Sequence, residues 1–160
     1  VHRPLIFLDV DGTLIPFGGG DYPTYHGNTR NPLLSRLDPA HGARLSALSC
    51  ELVWATTWLS DANDLIAPLL GLAPLPVVTW PDSDDEEPPG LHWKTQTLVA
   101  YAAGHPFAWV DDEIGAADRA WVAAHHDGDA LLHKVDPRRG LMTDDYSILD
   151  EWRRRTRMAD

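Results

Sequence analysis

Apolar residues fall into five short runs along the chain, at residues 5–10, 52–56, 76–79, 107–110 and 130–135. None alternates strictly between apolar and polar, the pattern of strands covered on both faces in a parallel sheet. Stretches with helical spacing lie between them. Asp38 and Pro39 read as an N-cap and first helical residue ahead of Ala43, Leu45, Ala47 and Leu48. Ser60 reads as the cap of a helix carrying Ala62, Leu65, Ile66, Leu69 and Leu70, with Pro68 kinking its last turn and Gly71 ending it. Two more helices are read at residues 93–103, stopped by Gly104, and 113–124. A last helix, at 143–157, collects Tyr146, Ile148, Leu149 and Trp152 on one side. Asp144 and Asp145 open it and Arg153, Arg154 and Arg155 close it, an order that suits the helix dipole.

Strand and helix alternate about five times, which predicts an α/β fold: a three-layer, Rossmann-like parallel sheet with helices on both faces. The 160 residues are one domain's length, so 1–160 is read as a single unit. Two segments stand outside the alternation. A Gly-rich flap occupies about residues 12–30, and the loop at about 81–90, with five acids and three prolines, reads as solvated and mobile.

Composition adds a charge argument. Acids outnumber bases 24 to 13, for a formal charge of -11, a sign that repels phosphate backbones and anionic membranes and disfavours long nucleic acid as a partner. The single Cys50 forbids an internal disulfide, and no apolar run approaches the roughly 18 residues of a membrane span. Pro4 and Asp9 interrupt any signal-peptide core, so the expectation is a soluble cytoplasmic protein with no membrane partner. No oligomeric state is specified. Nineteen of the 24 acids are Asp and only two bases are Lys, which directs attention to where the short carboxylates sit.

Open parallel sheets bind ligands at the carboxyl ends of their strands. The first run ends Asp9-Val10-Asp11-Gly12-Thr13. Residues two apart on a strand share a side, so both carboxylates project together while Val10 faces away. Such a pair is either a turn before Gly12 or a site whose repulsion a cation or shared proton relieves. The second run ends Ala55-Thr56-Thr57-Trp58, where Thr56 is either an ordinary strand residue or an anion holder through its hydroxyl and backbone N–H. The fourth ends Asp111-Asp112-Glu113. These acids could cap the next helix, or combine with Asp9 and Asp11 into an oxygen cage suited to Mg2+. Lys94 starts a helix, against the dipole's preference, which a paired anion would explain; the alternative is a stem covering Trp93.

In this order, Asp9-Val10-Asp11-Gly12-Thr13, Thr56, Lys94 and Asp111-Asp112 resemble the four motifs of the haloacid dehalogenase-like (HAD) phosphohydrolase superfamily, from about residue 5 to 141. Residues 52–63, His92-Trp93-Lys94 and 109–113 resemble a group of small bacterial HAD-like proteins. The resemblance implies a Mg2+-dependent phosphatase. Asp9 would be the nucleophile that forms an aspartyl-phosphate, and Asp11 the acid for the leaving group and then the base for water. Mg2+ would be held by the Asp9 carboxylate, the Asp11 carbonyl and Asp112, with Asp111 in support. Thr56, with the Thr57 amide, would hold a phosphoryl oxygen, and Lys94 would neutralise transition-state charge. Thr56 and Thr57 compete for the phosphate role. Gly12, Trp58 and Trp93 join Thr57 as candidate substrate contacts, although core packing also accounts for the two tryptophans.

HAD relatives that are ATPases usually carry Thr where Asp11 stands, so its presence favours phosphoester hydrolysis. The intervals from Asp11 to Thr56 and from Thr57 to Lys94 leave no room for a large cap domain, and an open site admits a phosphorylated substrate of any size. Three rivals remain. A phosphoacceptor receiver domain uses similar residues in another order, with adjacent acids on the first strand. A catalytically silent HAD-like binding module would typically have lost an acid, and none is missing. A nucleic-acid-end phosphatase of a repair system is the third, with Arg138, Arg139 and the arginine tail opposing the global charge.

Overall fold

Leu5, Ile6, Phe7 and Leu8 are all buried, as a strand sandwiched between two helical layers must be. They form β1 (Leu5–Leu8), the interior of a parallel sheet with β2 (Glu51–Trp54), β3 (Phe107–Asp111) and β4 (Ala130–Lys134), in the order β2-β1-β3-β4. Leu8 lies in register with both Trp54 and Val110, so the chain following β1 emerges between the ends of its neighbours. The computed structural model describes residues 3–25, 31–81 and 88–158.

Alternate residues of β1 and β3 serve two cores. Ile6, Leu8, Ala108 and Val110 pack with Leu45 of α1 (Ala40–Ala47), Ala67 and Leu70 of α2 (Ala67–Leu70), and Leu149 and Trp152 of α5 (Thr143–Met158). Leu5, Phe7, Phe107 and Trp109 pack with Leu98 and Ala102 of α3 (Thr95–Ala102) and Val122 of α4 (Ala116–His125). Burial of the leucine, isoleucine, valine and phenylalanine side chains among these stabilises the fold by about 1.5–3 kcal/mol each. The expected three-layer α/β architecture is present. Among the described residues, only a 3-10 turn at Pro32–Arg36, α1 and β2 lie between Asp11 and Thr56, and no large cap is evident.

Several boundaries differ from expectation. The run at 76–79 is not a strand but a single bridge, with Trp54 N–H bonded to the Pro76 carbonyl and Val78 N–H to the Trp54 carbonyl. Pro74 and Pro76 lack N–H donors, and Asn63 takes the Leu75 N–H and carbonyl onto its side chain, so no ladder extends. The helix expected after Ser60 is a π-helical turn, Ala62–Ile66, running into α2, and no side-chain hydrogen bond caps its start. Pro68 has no N–H for the preceding turn, and Gly71, at φ 71°, ends α2. The helices expected at 93–103 and 113–124 begin later, at Thr95 and Ala116. Residues 26–30 of the flap and 82–87 of the acidic loop lie outside the described residues. Among those described, no helix is long and apolar enough to cross a membrane.

One polar pair is buried in the α1–α5 contact, where His41 Nδ1 and the Tyr146 hydroxyl lie 2.6 Å apart. Burial lowers the pKa of His41 and raises that of Tyr146, so both are neutral partners. Tyr146→Phe leaves the imidazole nitrogen without its partner. Stability is expected to fall by about 1–3 kcal/mol, read as a lower urea midpoint with an unchanged slope.

Candidate active site

The carboxyl ends of β1 and β3 bring acids together because parallel neighbours in register end at the same level. Asp9 directly follows β1 and is nearly buried, Asp111 closes β3 and is buried, and Asp112 is half-buried. Each offers one carboxylate oxygen to a cluster in which all three atoms lie within 4.8 Å of one another. Val10 is fully buried in the α1–α5 core, on the opposite side from Asp9.

Lys94 is the cation of this cluster. Its Nζ donates to Asp9 Oδ1 at 3.0 Å, Asp111 Oδ2 at 2.8 Å and the Ala55 carbonyl at 2.8 Å, with the side chain 4% exposed. The anion expected from its position is therefore two anions. Burial works to lower its pKa, but the two carboxylates outweigh burial and raise it. Sequence reasoning missed Asp118, which fixes the turn that presents Lys94. From α4 its Oδ1 accepts from His92 N–H at 2.7 Å and Thr95 Oγ1 at 2.7 Å, while Oδ2 accepts from Gly115 N–H at 2.8 Å. An Asp three residues into a helix is indistinguishable from a cap until its long-range donors are known.

One ammonium does not neutralise three carboxylates. Burial, aided by the charge of Asp111, pushes Asp9 up to about 8 against the pull of Lys94. Burial and Asp111 push Asp112 up to about 6. Carboxylates held with raised proton affinity and too little positive charge form a donor set suited to a hard divalent cation. Gly12 fits the same cradle: it sits at φ 80°, and a Cβ there would collide with the Asp112 carboxylate. Asp111 is the more engaged acid, since Oδ2 also accepts from Trp109 Nε1 at 3.2 Å and Oδ1 from Glu113 N–H at 3.0 Å.

Asp11 stands apart from the cluster, half-buried, with Oδ2 accepting from Trp58 Nε1 at 3.1 Å. Trp58 thus packs partly against the core and also orients a site carboxylate. Asp9, Asp11, Asp111, Asp112 and Lys94 line a cleft of about 200 Å3 together with Thr57 and Trp93. Thr57 is exposed there, whereas Thr56 is buried; Thr56 Oγ1 accepts from Trp58 N–H at 3.2 Å and its carbonyl from Trp80 Nε1 at 3.0 Å. Trp93 is 40% exposed, meeting Trp80 edge-on and stacking on His92. Glu113, the third acid of the run that ends β3, also lines the cleft, as do Phe17 and His92, which were not anticipated as site residues. The signal for His92 was its place beside Trp93 and Lys94; its Nδ1 accepts from Lys94 N–H, and its Nε2 lies 3.3 Å from Glu113.

Neither a curated protein nor a solved structure matches this chain. A family model does, over residues 5–146, a span that holds all the carboxylates and the lysine just described. The chain belongs to the family described as the HAD domain in Swiss Army Knife RNA repair proteins.

Proposed function

We propose that the protein is a Mg2+-dependent phosphoester hydrolase working through an aspartyl-phosphate, with the phosphorylated end of an RNA strand as substrate. The observation carrying this reading is the convergence of Asp9, Asp111 and Asp112 around Lys94, with Asp11 across the same cleft. The family's RNA-repair description and the uncapped cleft favour a strand end, and the overall charge of -11 weighs against long duplex partners. Exposed Trp93 offers a ring for a terminal base.

The metal would be held by Asp9, Asp112 and Asp111, with the Asp11 carbonyl as the family's further ligand, and it would offset their repulsion and attract a phosphate anion. Lys94 fixes Asp9 Oδ1, leaving Oδ2, which Thr13 Oγ1 contacts at 3.4 Å, as the attacking oxygen. Oδ2 bonds to phosphorus as the bond to the leaving oxygen breaks, and Asp11 gives that oxygen a proton. Asp11 then takes a proton from water, whose oxygen attacks phosphorus, releasing inorganic phosphate and restoring Asp9. Trp58 holds Asp11 Oδ2, so Oδ1 is the proton-handling atom. Thr57, through its exposed hydroxyl and backbone N–H, holds a phosphoryl oxygen; Thr56 assists through a hydroxyl oriented by Trp58 N–H. Gly12 lets the chain pass close to the bound phosphate.

The test is phosphate release from 3'- and 5'-phosphorylated oligoribonucleotides, matching deoxyribonucleotides and an aryl phosphate, each with Mg2+ and with a chelator. Release should require Mg2+ and be fastest on one of the RNA ends. Undiminished release in chelator, or none from any substrate, overturns the reading.

A further inference from the structure

A second and larger cleft, of about 440 Å3, is lined in part by Pro16, Tyr22, Pro23 and Tyr25 of the flap. Its lining is the reverse of the first in charge. Arg36, Arg44, Arg138 and Arg139 face one carboxylate, Asp38, whose Oδ1 already accepts from Ala40 N–H. None of the four arginines makes an ion pair among the described residues. In a chain with 24 acids, four guanidiniums left without carboxylate partners in one concavity mark a place where the anion comes from outside.

The cleft is built rather than incidental. Arg44 is held by Thr143 Oγ1 at 2.8 Å and lies 4.7 Å above the Tyr146 ring, and Arg36 is held by the Pro16 carbonyl and lies 5.1 Å above Tyr22. These neutral partners fix position and leave charge uncompensated. The wall is stitched across the chain: Tyr22 donates its hydroxyl to the Arg138 carbonyl, Phe17 N–H bonds the Pro137 carbonyl and Leu141 N–H the Thr13 carbonyl. Gly140, at φ 67°, allows that approach, since a Cβ would lie 2.8 Å from the Thr13 carbonyl oxygen. Arg138 and Arg139 are exposed, and their side chains make no ion pair among the described residues.

Two further observations give the anion its class. Tyr25, 44% exposed, adds an open ring beside the guanidiniums, the combination that takes bases and phosphates together in single-strand binding. Pro16 lines this cleft and its neighbour Phe17 lines the catalytic one, so both open on a single stretch of chain. We propose that the arginine cleft is a subsite for single-stranded RNA, holding the nucleotides that precede the phosphorylated end. That this strand is the substrate rests on the reading of the catalytic cleft above; the affinity for a strand does not.

Fluorescence anisotropy with a 5'-labelled, 3'-phosphorylated hexaribonucleotide, in chelator so that no turnover occurs, tests it on the full chain. The double variant Arg138→Glu with Arg139→Glu should bind roughly 10-fold more weakly or worse, and its slope of log affinity against log salt should shrink by about 1.4, two phosphates' worth. Tyr25→Ala should lose roughly 10-fold with its salt slope intact, because stacking carries no counterions. All three residues are exposed, and unchanged melting temperatures confirm folding. Unaltered affinity in the double variant overturns the subsite. So does an inorganic polyphosphate of equal charge that binds as tightly as the strand, which would make the cleft a plain anion site. Strand binding that depends on these arginines, without phosphate release from any substrate, sustains the subsite and overturns the phosphatase.

Discussion

Asp9→Asn should abolish phosphate release, with a fall of roughly 10^4-fold or more, the scale of removing a covalent nucleophile. Asparagine nearly matches the shape of the carboxylate and accepts the Lys94 hydrogen bond, but has no anionic oxygen to bond phosphorus. The fold should survive. Lys94 keeps Asp111 and the Ala55 carbonyl, and burial of the Asp9 carboxylate already raises its proton affinity, so a neutral side chain relieves a cost. The melting temperature without metal is therefore expected to hold or rise while turnover disappears. Undiminished release from this variant would end the aspartyl-phosphate mechanism; a collapse in melting temperature would show that Asp9 is structural.

The largest loss of stability is expected from Lys94→Met. The replacement is similar in volume and apolar, but it strands the Asp9 and Asp111 carboxylates, 9% and 2% exposed, without their cation. Removing one partner of a buried ion pair typically costs about 3–5 kcal/mol. Urea denaturation measures it, with Lys134→Met as the internal control. Lys134 is the only other lysine and is exposed, so its loss should stay within about 0.5 kcal/mol. Mg2+ should restore part of the Lys94→Met deficit, because a ligand of the folded state alone stabilises by mass action. Equal midpoints for the two lysine variants would contradict the buried network.

The charge expectation rested on a sum. A total of -11 described the chain as repelling anions, and as a sum it is correct. It said nothing of placement. Acids gather where β1 and β3 end, and arginines from two distant stretches, Arg36 with Arg44 and Arg138 with Arg139, gather in a second cleft. Composition is blind to this separation because fields depend on which surfaces the fold brings together. The tryptophans teach a related point: Trp58 and Trp93 both read as core or contact, and the structure makes one a holder of Asp11 and the other a wall of the cleft.

The sequence by itself determined what local rules govern. Two-sided burial of β1 and β3 was legible from continuous apolar runs, and the end of α2 from Gly71, whose positive φ a glycine adopts freely. The separation of Asp9 and Asp11 by one apolar residue, and the short intervals that exclude a cap, were legible too. Tertiary structure decided which of several equivalent residues does what. Asp111 is saturated by Lys94, Trp109 and the Glu113 amide while Asp112 is not, and Thr57 reaches the cleft while Thr56 is buried. It also decided that 76–79 stays a single bridge, that Asp118 braces the turn of Lys94, and that Arg36, Arg44, Arg138 and Arg139 share one opening. The physical reason is common to all of these. Hydrogen-bond partners, burial and local field are set by groups dozens of residues away, and adjacent positions of like chemistry become different only when the fold supplies different neighbours.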